Sequence, residues 1–598
     1  MLERCRTDTA TTAGASLMRR RLLFAALVTT TIVALLWLAA TALAPMTSVP
    51  GETILLAAFA MVLPWTVICF WNAVIGLLVM RCARDPVACV NPAAARAGDE
   101  PPRVSTAILL CIRNEAPERL TPNLSAMMGG LVAAGVADRF HVYVLSDSDV
   151  PAIAAEERAR FRALAEEWHG RIGLTYRRRD HNAGFKAGNI RDFCGRWGHR
   201  HELAITLDAD SFMSAEAILR LVRIMQADPK LGILQGLVIG LPTTSAFARV
   251  FQFGMRLGMR SYTIGSAWWQ GDCGPYWGHN AALRLKPFAA HCELPVLPGN
   301  GPLDGFVLSH DQLEAVLMRR AGYEVRVLPE ETLGWEQNPP TLIEFMRRDL
   351  RWCQGNMQYR RFLAMPGLRP VSRYQLVLAM LMFLGSPAWI ALLVAGTLTT
   401  ALAGDPTRIL RAGPAESLFW LVLAMWFAPK IATLIDVLAR PDLRHAYGGT
   451  MRLVGSTTAE IAFSVLLAPI MWLAHTRFLC GLMIGRRATG WHGQAREAHG
   501  VPWSVAARHL WPQTLLGTAT LGALALTAPG AVPYASFVAL GLALSIPFAV
   551  LTATAGFGRL LMRFGVGRLP EETGPPDVLH ALELPAIGDA AARRPRPG

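Results

Sequence analysis

With 598 residues, 52% of them hydrophobic and only 17% charged, the chain is too long for one core and too apolar for an ordinary soluble protein. Its formal charge of +14 does not point to nucleic acid, because Arg and Lys gather beside apolar runs, the usual cytoplasmic flank of a membrane span. Ten cysteines with no C-x-x-C pair exclude a zinc framework and a disulfide scaffold, and they suit a reducing compartment.

After Arg19-Arg20-Arg21 an uncharged run from Leu22 to Ala44 is long enough to cross a bilayer. It is too long for a signal peptide, and Pro45 would sit just past the small-residue site Ala42-Leu43-Ala44. A second run, Thr53 to Met80, ends in Arg81 and Arg84. Basic residues outside both runs predict a hairpin with both ends in the cytoplasm, which makes 1–102 an N-terminal membrane region. From Arg103 the apolar stretches shorten. Val104–Cys111, His141–Leu145, Leu203–Leu207 and Leu231–Val238 read as buried strands, with amphipathic stretches such as Ala152–Trp168 between them. This alternation predicts, over 103–365, an α/β domain with a mainly parallel sheet and helices on both faces. Ligands of such sheets bind beyond the carboxyl ends of the strands.

Residues 366–570 turn apolar again. Candidate spans are Tyr374–Leu402, Leu418–Leu438, the short Leu515–Ala528, and Val532–Thr554. The basic loops Arg440–Arg452 and Arg477–Arg496 both read as cytoplasmic, the second within a loop over 477–512. The apolar stretch Leu453–Gly485 between them is then expected to be a tight hairpin or a re-entrant or interfacial segment broken near Pro469. Lys430 is expensive in lipid and should face protein or a polar cavity. With Trp420 and Trp426 it would line a path for sugar, or else it snorkels beside an aromatic belt. The Pro-, Gly- and Ala-rich tail 571–598 is expected to be disordered.

Chemistry is concentrated at strand ends. Asp208-Ala209-Asp210 follows directly on a buried strand. Two carboxylates there suit a divalent cation that bridges phosphates, although a solvated turn would also hold Asp. Asn114-Glu115, Ser146-Asp147-Ser148-Asp149 and His310-Asp311 should project to the same sheet edge. Positive partners for a diphosphate are Lys186, set among glycines, and Arg348 and Arg351, with Trp352 able to stack on a sugar face. The Arg348–Trp352 stretch also reads as a basic amphipathic helix on a membrane surface. Asp311 opens a helical pattern, so it is a candidate N-cap as well as a candidate base.

Asp208-x-Asp210, His310-Asp311 and Arg348-x-x-Arg351-Trp352, in that order between membrane hairpins, resemble the family 2 processive glycosyltransferases that include cellulose synthase. The usual T-E-D and Q-x-x-R-W motifs carry His310 and Arg348 here in place of Glu and Gln. Phe185-Lys186-Ala187-Gly188-Asn189, Tyr276-Trp277-Gly278-His279-Asn280-Ala281, Leu308-Ser309-His310-Asp311, Leu317-Met318-Arg319-Arg320-Ala321-Gly322 and Arg351-Trp352-Cys353-Gln354-Gly355-Asn356 are more closely similar to the bacterial glucans biosynthesis glucosyltransferase H family, which makes the backbone of osmoregulated periplasmic glucans. The resemblance implies a GT-A-type domain between transmembrane helices of the bacterial inner membrane, facing the cytoplasm. It implies UDP-glucose as donor, a growing β-1,2-glucan as acceptor, and a divalent metal, Mg²⁺ or Mn²⁺, at Asp208 and Asp210. By the same resemblance Glu115 and Asp147 hold the uridine, and Lys186, Asp208, Arg348 and Arg351 attend the donor diphosphate. Asp311 is the general base of an inverting displacement, and Trp352 floors the acceptor site. Acyl carrier protein and a periplasmic glucan-processing protein are partners by resemblance alone, beside membrane lipid. Members often carry a long N-terminal extension, and only about twenty residues precede the first span here. Trp491 and Gln494 fall where related synthases have a gating loop, and a plain loop is the other reading. A transferase adding one sugar to a lipid carrier and a nucleotide-regulated transporter are the competing functions.

Overall fold

The computed structural model describes residues 10–43, 49–486, 498–576 and 579. Two long apolar helices, Ala10–Ala42 and Val49–Cys82, precede the α/β domain. Its strands are β1 (Thr106–Ile112), β2 (Phe140–Ser146), β3 (Gly173–Arg178), β4 (Leu203–Asp208), β5 (Ser211–Phe212), β6 (Leu231–Gly236), β7 (Ile239–Gly240), β8 (Ala281–Arg284), β9 (Glu324–Leu328) and β10 (Trp335–Glu336). The main sheet runs β3-β2-β1-β4-β8-β6-β9. All neighbours are parallel except β8, which is antiparallel to both β4 and β6. The sheet is therefore mostly parallel, as its apolar runs predict. β5, β10 and β7 form a second, three-stranded sheet.

Alternation along the strands divides the core between two faces. Ile108, Leu110, Val142 and Val144 pack on one side with Phe161 and Ile218. Leu109, Tyr143, Ile190 and Phe193 pack on the other with Leu313 and Val316. Burial of Phe161 or Phe193, both fully enclosed, contributes about 1.5–3 kcal/mol. Nine free cysteines occur among the described residues.

Among the described residues five helices are long and apolar enough to cross a membrane: Gly14–Ala42, Gly51–Cys82, Pro370–Ala403, Ala412–Leu438 and Thr450–Met483. The last corrects the reading of Leu453–Gly485. It is one unbroken 34-residue helix with Pro469 inside it, neither a hairpin nor a broken segment. Proline costs a helix one backbone bond, but apolar helices packed against neighbours accommodate it, and Pro64, Pro387 and Pro429 sit inside three of the other four in the same way. At 1.5 Å per residue the helix is roughly 50 Å long, more than a bilayer core needs. Its Leu453 end shares a core with Phe253 and Leu257 of the helix Ala246–Gln270. Its Leu479 end shares one with Tyr359 and Leu376. The candidate span Val532–Thr554 consists of two helices, Pro529–Ala543 and Ser545–Thr552, which meet at 56° and together are long and apolar enough for one bent span. The short candidate Leu515–Ala528 is the end of a longer helix, Trp503–Thr527.

Lys430 faces protein, as its cost in lipid requires: Nζ donates to Glu460 at 2.7 Å and to Ser464 at 2.8 Å. It does not snorkel. Trp426 lies against Trp389 and Trp472, whereas Trp420 is exposed. Arg20 and Arg21 do more than flank a span. Arg20 stacks over Trp268, and Arg21 pairs with Asp272 at 2.5 Å, which joins the first helix to the α/β domain. The head of the tail is held as well, with Glu571 bonded to Arg256 at 2.7 Å and Glu572 to Arg249 at 2.9 Å.

Candidate active site

The carboxyl ends of β1, β2 and β4 open into a cleft of about 570 Å³, a size that suits a nucleotide-sized ligand. Glu115, Asp147, Lys186, Asp208, Asp210, Asp311, Arg348, Arg351 and Trp352 all line it, so residues spread over nearly 240 positions meet at one sheet edge. Trp491 and Gln494 lie outside the described residues.

Lys186 stands in the first turn of the helix Phe185–Trp197, whose N-cap is Gly184 in the left-handed conformation. Its Nζ donates to Asp208 Oδ1 and, at 2.8 Å, to the Gly278 carbonyl. Burial alone would weaken its charge, yet the Asp208 carboxylate outweighs burial and holds the Lys186 pKa above its ordinary value. Asp147 is gripped by Arg179, with bonds of 2.8 and 2.7 Å to its two oxygens. Arg179 also donates to the carbonyls of Ala183 and Phe185 at 2.9 Å. One guanidinium therefore fixes the β2 exit against the loop that presents Lys186. Beneath it the buried Glu157 accepts from Ser146 at 2.6 Å, from Tyr176 at 3.0 Å and from Ser148.

The Asp311 side is built by the helix Leu342–Met357 and the short turn Gln358–Arg361 that follows it. Gln354 donates to Pro302 O at 2.7 Å, Gln358 accepts from Leu308 N at 2.8 Å, and Tyr359 donates to Ser309 O at 3.0 Å. Gly355 admits Ser309 where a Cβ would lie 2.2 Å from its Oγ. The segment leading to Asp311 is thus pinned to the helix that carries Arg348, Arg351 and Trp352. Arg348 lies over the Trp352 ring at 4.8 Å, and that ring is 47% exposed. Burial and the neighbouring Arg348 and Arg347 lower the Arg351 pKa. Asp311 is the first residue of the helix Asp311–Arg320, and His310 is its N-cap. The N-cap reading of Asp311 is therefore corrected: it stands one place inside the helix, where a carboxylate is favoured by the helix dipole. His310 forms a buried pair with Glu314 at 2.9 Å. Burial opposes the charge on both, but Glu314 raises the imidazole pKa and the carboxylate pKa is raised as well. The pair keeps a proton to higher pH than the isolated groups.

Sequence reasoning missed three site features. Gly278, at φ +84°, lies where a Cβ would sit 3.6 Å from Lys186 Nζ and 3.8 Å from Asp311 Oδ2. Glu336, on β10 opposite Ser211, adds a carboxylate beside Asp208 and Asp210. Its pKa is raised by burial, and these two neighbours raise it further against His279 and Arg348. Arg179 ends the basic run Arg177-Arg178-Arg179 at a strand exit, a signal that could have found it. Asn114, Phe185 and Asn280, at φ 52°, 50° and 50°, flank the cleft in a conformation that non-glycine residues adopt only when their surroundings impose it.

Among the described residues no group of three His, Cys, Asp or Glu side chains converges to hold a metal ion alone. The donor set at the β4 exit is two hard oxygens, from Asp208 and Asp210. It fits a divalent cation that completes its shell from phosphate oxygens.

The model of glycosyl transferase family group 2 matches residues 203–435, from β4 through the site and into the helix Ala412–Leu438. The glucans biosynthesis glucosyltransferase H of Pseudomonas putida strain W619 is 34% identical over 551 residues, covering 89% of this chain and 63% of that one. The protein of that name from Pseudomonas syringae pv. syringae is 34% identical over 544 residues, with 88% and 67% covered. The chain thus spans less than two thirds of the length of the first of these relatives, 63%, and 67% of the second. Among solved structures, the mannosyltransferase PcManGT from Pyrobaculum calidifontis, in complex with GDP-Man and Mn²⁺, superposes with a TM-score of 0.40 at 17% identity, covering 64% of this chain and 97% of that one. The family match and the mostly parallel sheet make the domain GT-A-like. With 34% identity sustained over nearly nine tenths of its length, the chain belongs to the glucans biosynthesis glucosyltransferase H family of group 2 glycosyltransferases.

Proposed function

We propose that the protein elongates a β-glucan backbone, β-1,2-linked, by transferring glucose from UDP-glucose with inversion at the anomeric carbon. It works from the cytoplasmic face of a bacterial inner membrane, its α/β domain forming the unit 103–365 between membrane regions. The observation that carries this reading is the convergence of one carboxylate, Asp311, with a cation set, Lys186, Arg348 and Arg351, across a single cleft.

In this reading Glu115 and Asp147 hold the uridine, with Arg179 keeping Asp147 in place. Lys186, Arg348 and Arg351 bind the diphosphate and take up the negative charge that grows on it as the glycosidic oxygen departs. Asp208 and Asp210 would hold Mg²⁺ or Mn²⁺, which would supply charge neutralisation to the leaving diphosphate. Trp352 stacks on the acceptor sugar. Asp311 accepts the proton of the acceptor hydroxyl while that oxygen bonds to the anomeric carbon. One base on one face and a leaving group on the other suit a single displacement. The family relationship supports glucan rather than another polymer.

Membranes carrying the protein, incubated with labelled UDP-glucose, should yield a labelled glucan that β-glucanase or linkage analysis identifies. Label confined to a lipid-extractable monosaccharide would transfer the reading to a single-sugar enzyme. No incorporation despite UDP-glucose binding would favour a nucleotide-regulated transporter.

A further inference from the structure

Arg348, Arg351 and Trp352 share their helix with Asp349, whose side chain leaves the cleft. Asp349 Oδ2 lies 2.5 Å from His475 Nε2, and His475 Nδ1 lies 3.0 Å from Ser386 Oγ. Three helices therefore meet at one imidazole: Leu342–Met357 in the site, Pro370–Ala403 and Thr450–Met483 among the apolar spans. The side chains of Asp349 and His475 are 15% and 9% exposed, and Ser386 is buried. A carboxylate oxygen accepts, so Nε2 donates to Asp349, and Nδ1 is left to the Ser386 hydroxyl. Both ring nitrogens are used, and the ring orientation is fixed. The ring is also clamped by shape, with Phe383 packed edge-on at 5.1 Å. One turn away Trp472 stacks on Trp389 at 4.9 Å, so the membrane side of the joint is rigid. The helix Leu342–Met357 has one further described polar tie to these spans, from Asn356 Nδ2 to Ala379 O at 3.2 Å. That bond lies two turns beyond Asp349, and Phe345 and Met346 share an apolar core with Phe463 and Ile470 on the turn before it, so the Asp349–His475 bond is the polar tie at the Arg348–Trp352 turn itself.

We propose that His475 is a positioning residue that, through Asp349, sets where Trp352 stands over the acceptor end of the cleft and where Arg348 and Arg351 stand toward the diphosphate. This rests on the acceptor role given to Trp352 above. A sugar stacked on an exposed ring is held by contact alone, so its distance from Asp311 depends on the placement of that helix. A displacement of about 1 Å at a reacting centre costs on the order of a hundredfold in rate. The rest of the donor end, made by Lys186, Arg179 and the strand exits, is built separately from this helix. The joint therefore governs acceptor use first, and donor binding only through Arg348 and Arg351.

The test uses the full chain in detergent or nanodiscs. His475→Phe keeps the ring volume and removes both bonds, and His475→Gln keeps a donor near the Nε2 position. With His475→Phe the KM for a glucan-oligosaccharide acceptor should rise about tenfold, the factor corresponding to one charge-assisted hydrogen bond. The product should shorten, and UDP affinity, to which Lys186 still contributes, should fall by a smaller factor than acceptor KM rises. Amide hydrogen exchange across Leu342–Met357 should speed up. His475→Gln should restore all these readouts toward wild type. The inference is overturned if His475→Phe leaves acceptor KM and exchange unchanged, or if UDP binding falls in step and His475→Gln rescues nothing. The exchange measurement needs no substrate, so it decides the joint even if the wild-type protein makes no glucan and the functional reading itself fails.

Discussion

Replacing Gly278 with alanine puts one methyl between the two groups on which the mechanism depends. The site has room for it: an added Cβ would lie 3.5 Å from Asp311 Cβ, 3.6 Å from Lys186 Nζ and 3.8 Å from Asp311 Oδ2, all ordinary contacts. Stability therefore suffers only through the backbone. At φ +84° an L residue costs about 1–2 kcal/mol, and the smaller entropy of the unfolded alanine chain returns about 0.4–1 kcal/mol of that. The net loss should be about 1 kcal/mol. Activity should suffer far more. An acceptor oxygen must come within about 2.6–3.2 Å of Asp311 to surrender its proton, and the methyl occupies the approach between that carboxylate and the ammonium. A displacement of about 1 Å corresponds to roughly a hundredfold in rate. Glucose incorporation by the purified protein at saturating donor should fall by that order, with the thermal midpoint and UDP binding little changed. Incorporation at the wild-type rate would mean that the reaction does not occur between Lys186 and Asp311, and the assignment of the cleft would fail.

Asp208→Asn and Asp210→Asn should each abolish transfer, and a chelator should do the same to the wild type; full activity in excess chelator would remove the metal from the mechanism. The raised pKa of His310 makes a pH prediction: because the folded state holds this proton more tightly than the unfolded one, the contribution is present below the ordinary histidine pKa and is lost as pH rises through the raised value. Thermal midpoints measured between pH 6 and 9 should therefore decline more steeply for wild type than for His310→Gln, and parallel profiles would contradict the assignment. A reporter fused after Arg84 should read cytoplasm and one fused near Asp405 periplasm, and the reverse pattern would invert the orientation.

The strands most legible in the sequence were those with unbroken apolar runs. β1, β2, β4 and β6 are enclosed on both faces, and their sequences say so. β3 alternates Thr175 and Arg177 with apolar residues, β8 has four residues, and β9 carries Glu324 and Arg326, so none stands out from a loop by hydrophobicity. Pro469 was misread because a proline rule drawn from helices in water overstates its effect in an apolar helix with close neighbours. At the site, the acidic residues were legible because a parallel sheet sends every strand end to one edge. Asp208, Asp147 and Glu115 needed only that topology. Gly278, Glu336 and the coupling of Asp349 to His475 depend on how distant loops and helices meet, and no spacing in the chain encodes that.

Asp311→Asn tests the central claim most directly. The substitution keeps the size of the side chain, and since His310 is the N-cap it costs the helix only a dipole contribution of about 0.3–1 kcal/mol. It removes the proton acceptor. Glucose incorporation and UDP binding measured side by side should show turnover reduced by roughly a hundred- to ten-thousandfold with UDP affinity intact, because Lys186, Arg348 and Arg351 remain. Near-normal incorporation in this variant would mean that another group takes the proton, and the proposed mechanism would be wrong at its centre.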